Sequence, residues 1–141
     1  MEDPLNLKFQ ELILHFHQMG GELPPLEKFE ITPAQVVYLD YLAKHPDCRL
    51  NQLTRALQYS SASVSAMVST LEMKGMLSKV QERGDGRALA LNLTDKGRRV
   101  ILEIEVFRST RVEMILKGLN KMEKKTLLDL LEKAIPKKKE K

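Results

Sequence analysis

Five serines crowd one short stretch of this chain, and two arginines follow at the tip of a predicted hairpin. The serines are Ser60, Ser61, Ser63, Ser65 and Ser69. Arg83 and Arg87 enclose the tip, which has the sequence Arg-Gly-Asp-Gly-Arg. Serine hydroxyls bond phosphate or base edges, and arginine forks onto phosphate or enters a narrow minor groove. These side chains therefore have the chemistry of a surface that binds nucleic acid.

Each of these side chains also has a structural interpretation. Ser60 or Ser61 can cap a helix, because a serine hydroxyl accepts a hydrogen bond from an N–H of the first turn. For Ser63 and Ser65 we favour contact with DNA over a merely solvated helix, because a solvent-exposed helix more often carries Lys or Glu, which have higher helix propensity than serine. Arg83 and Arg87 could instead belong to a solvent-exposed turn that makes no contact with DNA.

Three further charged residues belong to this candidate surface. Asp85 is an acid at a basic tip, so we expect it to pair with Arg87 and to orient that side chain. The alternative is that Asp85 supports the geometry of the turn. Arg55 and Lys79 can reach phosphates from a helix and from the first wing strand, or can equally belong to the solvated surface.

Hydrophobic periodicity and capping residues predict the elements that position these side chains. The predicted helices span about 5–18, 33–44, 52–58, 61–73, 95–117 and 121–134. Their predicted caps include Thr32, Asn51, Thr94 and Asn120. Residues 22–30 hold two consecutive prolines and are predicted to form an extended connector.

Two predicted strands, 77–82 and 88–93, flank the Gly-containing tip. Leu89, Leu91 and Leu93 alternate with smaller or polar residues, which is the period of a half-buried strand. Two short helices followed by a hairpin form the pattern of a winged helix-turn-helix. The expected fold class is mainly α with a small β wing, extended by terminal helices.

The charge is divided unevenly along the chain. Residues 1–48 hold 3 Lys or Arg and 8 Asp or Glu. Residues 49–99 hold 9 Lys or Arg and only 4 Asp or Glu. A surface that neutralises phosphates requires such a concentration of positive charge, although chance segregation is the alternative. The tail, 136–141, is rich in Lys and is expected to add only non-specific attraction.

The composition narrows the class of protein. A length of 141 residues predicts one domain, 1–141. Aromatic residues make up only 5% of the chain and Trp is absent, so we expect an aliphatic core. No apolar run approaches the roughly 20 residues of a membrane span, and the N-terminus lacks the order of a signal peptide. We therefore expect a cytoplasmic protein with no membrane partner.

The terminal helices carry more apolar residues than a small winged module can cover. Residues 1–20 and 98–135 lie outside the predicted winged helix-turn-helix, 31–97, and are rich in Leu, Ile, Val and Met. Packing against the same helices of a second copy would cover them, so they are predicted to be dimerisation helices. The alternative is one compact monomeric core that contains all six helices.

With these elements in place, the chain resembles the MarR (multiple antibiotic resistance regulator) family of winged-helix transcription factors. The sequence ITPAQVVYLDYL resembles the start of the family's second helix. LNQLTRAL and SSASVSAMVSTLEMKGML resemble its helix-turn-helix pair, and DGRALALNLTDKG resembles its wing. The resemblance implies a homodimer on a palindromic operator in double-stranded DNA, functioning as a repressor. It also implies that a small molecule or an oxidant often releases the DNA.

The resemblance suggests where an effector would bind. The family's pocket usually lies between the dimer helices and the DNA module, where His15, Phe16, Tyr38 and Tyr41 would line it here. These residues can equally be core or dimer contacts. Cys48 is interpreted as structural rather than as an oxidant sensor, because the chain has no second cysteine to resolve an oxidised thiol.

One departure from the family keeps a second function open. Many members carry arginine at the positions of Ala66 and Thr70, and both basic positions are absent here. This departure favours a winged-helix module that docks a partner protein, whereas the basic wing opposes it. No nucleophile–base pair, metal-ligand cluster or phosphate-binding loop is visible, so neither an enzyme nor a cofactor or metal is expected.

Overall fold

The computed structural model describes residues 3–19, 24, 26–81 and 88–137 of the chain. The elements in chain order are α1 (Pro4–Met19), a 3₁₀ turn (Glu27–Phe29), α2 (Pro33–Lys44), β1 (Cys48–Arg49), α3 (Leu50–Leu57), α4 (Ser61–Met73), β2 (Leu77–Gln81), β3 (Leu89–Leu93), α5 (Asp95–Leu116) and α6 (Lys121–Ala134). The predicted fold class, mainly helical with a small β wing, is confirmed.

Side-chain caps fix where several helices begin. The Thr32 hydroxyl accepts from the Gln35 N–H at 3.3 Å, and the Gln35 side chain accepts from the Thr32 N–H at 3.1 Å. Asn120 and Glu123 form the same reciprocal pair before α6, with distances of 2.9 and 2.8 Å. These two pairs satisfy four backbone N–H groups, and both were predicted from sequence.

The sheet contains a strand that the sequence did not predict. Its order is β1-β3-β2 with both pairings antiparallel, and Cys48 lies opposite Leu91. Because β1 leads directly into α3, that helix begins at Leu50 and not at Gln52 as predicted. The predicted cap, Asn51, is wrong: the capping position is Arg49, whose N–H donates to the Gln52 side chain at 2.9 Å.

The connector before α2 is only partly extended. Glu27–Phe29 forms a 3₁₀ turn, which corrects the prediction of an extended segment over 22–30. A turn of this kind places Leu26 and Phe29 on one side, and both are partly buried against the core. Apolar contacts therefore fold this part of the connector despite its prolines.

The core lies between α2, α3, α4, the sheet and the first half of α5. Leu39, Leu53, Val64, Leu71 and Ile104 are completely buried there. Gly97 lies at the first turn of α5, where an added Cβ would collide with the Met76 carbonyl oxygen. The predicted division of the single domain into a winged helix-turn-helix and dimerisation helices falls at 97/98. This position lies inside α5, and residues of the first half of α5 are buried in the winged-helix core.

The remaining helical surface is largely apolar and exposed. Neither α1 nor α6 buries a residue in the single chain, so the six helices do not share one core. Large exposed apolar side chains include Leu5, Phe9, Leu12, Ile13 and Phe16 on α1, Leu102, Val106, Val112 and Met114 on α5, and Met122, Leu128, Leu130 and Leu131 on α6. Within the described residues, no helix combines the length and hydrophobicity needed to cross a membrane.

Candidate nucleic-acid interface

Helix α4 has one buried face and one exposed face. Val64, Val68 and Leu71 are at most 1% exposed and fix the helix on the core. The opposite side of α4 carries Ala62, Ser65, Ala66, Ser69 and Met73, all of them exposed. The apolar stripe predicted from sequence is therefore the buried one, and the serines that were singled out lie on the solvent side or at its edge.

Hydrogen bonds separate the five serines into two groups. Ser60 caps α4: its hydroxyl accepts from the Ser63 N–H at 3.2 Å and donates to the Ser63 hydroxyl at 2.8 Å. Within the described part of the chain, the hydroxyls of Ser61, Ser65 and Ser69 form no hydrogen bond. Those three exposed hydroxyls are available to a ligand, whereas Ser60 and Ser63 already stabilise the helix end.

The turn between α3 and α4 is supported by a pair of tyrosines. Gln58 adopts a left-handed conformation at φ 57°, and Tyr59 follows it. The Tyr59 ring stacks on Tyr38 of α2 at a centroid distance of 6.4 Å. Burial raises the pKa of Tyr38, which is 3% exposed. Sequence reasoning missed Tyr59, because only the fold brings it to a residue 21 positions earlier.

The four residues predicted to line an effector pocket occupy two different environments. Tyr38 is buried, and Tyr41 is half-buried and stacks on His45 at 4.0 Å. His15 and Phe16 are exposed on α1, where the Phe16 ring contacts His17 edge-on. Any pocket that includes both pairs would have to form when the exposed face of α1 is covered.

Two basic candidates lie within the described residues. Arg55 is exposed on α3. Lys79 on β2 lies 3.5 Å from the Glu72 carboxylate of α4, so an ion pair links the wing strand to this helix. Arg83, Asp85 and Arg87, with the predicted Asp85–Arg87 pair, lie outside the described residues.

Two other lysines near α4 serve the fold. Lys74 donates to the Glu30 carbonyl oxygen and to the Gln35 side chain, the second contact being 3.2 Å. Lys96 donates to the Lys74 carbonyl oxygen at 2.9 Å. The Lys96 contact satisfies a carbonyl at the C-terminal end of α4, whereas the Lys74 contacts join that end to Glu30 and to Gln35 of α2. These contacts stabilise the end of α4.

Two ion pairs join helix α5 to α2 and to the 3₁₀ turn before α2. Arg108 donates to both carboxylate oxygens of Asp40 on α2, at 3.0 and 2.8 Å. These hydrogen bonds raise the pKa of Arg108 above its ordinary value. Lys28 pairs with Glu103 at 3.0 Å. The partners lie 68 and 75 positions apart, so no local sequence signal identifies them.

Cys48 lies in β1 and is 4% exposed. Burial raises the pKa of its thiol, which disfavours the reactive thiolate. This environment agrees with the structural interpretation of Cys48 and opposes oxidant sensing.

The arrangement of α2, α3 and α4 against β1, β2 and β3 defines the chain as a winged helix-turn-helix protein. The model of the MarR family matches residues 29–88, which include all three of those helices and the first wing strand. Through this segment the chain is similar to the MarR family.

Curated relatives carry names of transcription regulators. The chain is 32% identical over 80 residues to the HTH-type transcriptional regulator BilQ of Clostridioides difficile (strain CD3), covering 57% of this chain and 54% of the relative. It is 31% identical to the HTH-type transcriptional repressor MdtR of Bacillus subtilis (strain 168), and the match covers 53% of this chain and 48% of the relative. The matched segment thus spans about half the length of these relatives.

Solved structures match over nearly the whole chain. YusO from Bacillus subtilis has a TM-score of 0.74 at 23% identity, covering 94% of this chain and 97% of that one. A mutant of S. aureus MepR bound to an oligodeoxyribonucleotide has a TM-score of 0.68 at 22% identity, covering 94% of this chain and 96% of that one. The terminal helices therefore belong to the shared fold along with the winged helix.

Proposed function

We propose that this protein is a homodimeric transcriptional regulator that binds a palindromic operator in double-stranded DNA and represses transcription. The observation that carries the proposal is α4, a capped helix fixed to the core by Val64, Val68 and Leu71 with three unbonded serine hydroxyls on its solvent side. In a helix-turn-helix, the second helix enters the major groove. The regulator and repressor names of the curated relatives support this function.

The proposed contacts follow from the environment of each side chain. Ser61, Ser65 and Ser69 contact base edges or phosphates, and the N-terminus of α4, capped by Ser60 and Ser63, favours a nearby phosphate. Arg55 and Lys79 contact the backbone on either side. Arg83 and Arg87 of the wing contact the minor groove or backbone, with Asp85 orienting Arg87.

The proposed dimer rests on surface that one chain leaves uncovered. Large apolar side chains of α1, the second half of α5 and α6 are exposed, and exposed apolar patches mark sites of interaction. A two-fold dimer built on these helices would place two copies of α4 on half-sites roughly one DNA turn apart. A hydrophobic small molecule that binds between α1 and Tyr41 would release the DNA, and adding candidate compounds to the bound duplex tests that step.

The test is selection from a random duplex pool, with a double variant, Arg83→Ala and Arg87→Ala, assayed in parallel. We expect enrichment of a palindrome with half-sites about one turn apart. The variant should bind more weakly, and its salt slope should fall by about one for each phosphate that it no longer neutralises. Lys117→Ala with Lys121→Ala removes the same charge outside the winged helix and is expected to leave the slope unchanged.

Docking to a partner protein is the competing function, because α4 carries no Lys or Arg. A folded dimer that enriches no duplex sequence, and whose DNA binding is unaffected by the wing variant, would contradict operator binding and favour docking.

A further inference from the structure

The exposed face of α4 lacks the side chains that make paired hydrogen bonds to a base. Ser61–Met73 contains no Lys, Arg, Asn or Gln. Bidentate contact with guanine requires Arg or Lys, and bidentate contact with adenine requires Asn or Gln. If α4 discriminates bases, it does so by another type of contact.

Glu72 is the one charged residue of α4, and its carboxylate has a partner. It lies 3.5 Å from the Lys79 ammonium of β2. Glu72 also lies in the last turn of α4, whereas recognition helices contact base edges mainly through their N-terminal residues. Readout of the cytosine amino group by Glu72 is therefore disfavoured.

The line of side chains that points directly away from the core is largely apolar. Ala62, Ala66, Ser69 and Met73 follow one another at spacings of four, three and four residues, which places them on one side of the helix. All four are exposed, and Met73 is 83% exposed. This line is opposite the buried residues Val64 and Val68.

The hydroxyl and methyl groups on the exposed face of α4 differ in which DNA bases they can distinguish. Ser65 and Ser69 carry hydroxyls that donate or accept, so they adapt to several bases. An alanine methyl has one specific partner in the major groove, the C5 methyl of thymine, which no other DNA base carries. Discrimination by α4 must then come mainly from contact between methyl groups.

We propose that Ala62 and Ala66 of α4 identify thymine through its C5 methyl group. The inference rests on the proposed function. The position of α4 in the winged helix would bring Ala62 and Ala66 to the major groove. Because this face of α4 carries no longer donor, the two alanines remain as the contacts that discriminate between bases.

Replacement of thymidine by deoxyuridine tests the inference directly. Deoxyuridine removes the C5 methyl and keeps every hydrogen-bonding group of the base. In the operator obtained by selection, each thymine of one half-site is replaced in turn and the dissociation constant is measured. We expect about a fourfold loss of affinity at each position where a methyl is buried, from the free energy of burying one such group.

Glycine variants assign the effect to particular side chains. Ala62→Gly and Ala66→Gly should each reduce the thymine-to-uracil affinity ratio to about one at a different position of the half-site. Ala43→Gly, at an exposed position near the end of α2, introduces the same type of substitution outside α4 and should leave every ratio unchanged. Because each ratio compares two duplexes on one variant, a loss of folded protein cancels.

The outcomes distinguish the two proposals. A selected operator whose thymines can all be replaced without loss, or whose half-sites lack thymine, overturns thymine readout and leaves operator binding intact. Ratios that persist in both glycine variants overturn the assignment to Ala62 and Ala66. If selection enriches no duplex, both proposals are wrong.

Discussion

At the scale of single residues, hydrogen bonding decides what a serine of α4 can do. Ser60 and Ser63 bond each other at the start of the helix, so their substitution acts first on the helix itself. Removal of an N-cap hydroxyl typically costs about 1 kcal/mol. Ser61, Ser65 and Ser69 have no such structural bond, so their substitution is the clearer probe of DNA contact.

Cys48 is expected to react slowly in the folded protein. Its thiol is buried and its pKa is raised, so near neutral pH a smaller fraction is thiolate than in an exposed cysteine. Alkylation by iodoacetamide, followed by mass spectrometry, should therefore be at least about tenfold slower in native protein than in denaturant. Equal rates in the two conditions would show that Cys48 is accessible and would reopen oxidant sensing.

At the scale of elements, α5 connects two parts of the molecule. Its first half places Val100, Ile101 and Ile104 in the winged-helix core, whereas its second half exposes Val112 and Met114. The Arg108–Asp40 and Lys28–Glu103 pairs lie between these regions. Both pairs are substantially exposed, so each adds little to stability, and their geometric effect is to fix the direction of α5 relative to α2.

Close packing at the start of α5 gives a prediction about stability. Gly97→Ala would force a Cβ against the Met76 carbonyl oxygen, so we expect a loss of about 1–3 kcal/mol in the free energy of unfolding. Gly118→Ala is the matched control, because an added Cβ there meets no atom within 4 Å. The control should be neutral or slightly stabilising. Urea unfolding measures both, and equal effects would show that the contact relaxes without cost.

At the scale of the whole molecule, the distribution of apolar surface is uneven. The winged-helix core is tightly filled, with ten large side chains less than 2% exposed. The apolar side chains of α1 and α6 remain in solvent in the single chain. We propose that a second copy covers this surface, since a two-fold partner presents the same surface by symmetry.

The proposed dimer is tested by charges placed on its apolar surface. Leu12→Glu on α1 and Leu130→Glu on α6 replace side chains that are each 59% exposed. We expect light scattering to give twice the mass of one chain for the wild type and a shift toward the monomer for both variants. Val80→Glu, on β2 and 54% exposed, is the control and should remain dimeric. A monomeric wild type would contradict the proposed assembly.

The features that the sequence alone determined are those with local causes. The caps at Thr32 and Asn120 act within three residues, and the stripe of Val64, Val68 and Leu71 follows from helical periodicity. The helix that carries the candidate site was therefore predictable. The strand β1, the Tyr38–Tyr59 stack and the Arg108–Asp40 pair were decided only by the tertiary structure. Their partners lie from 21 to 68 positions apart, and such contacts form only after the core has brought distant segments together.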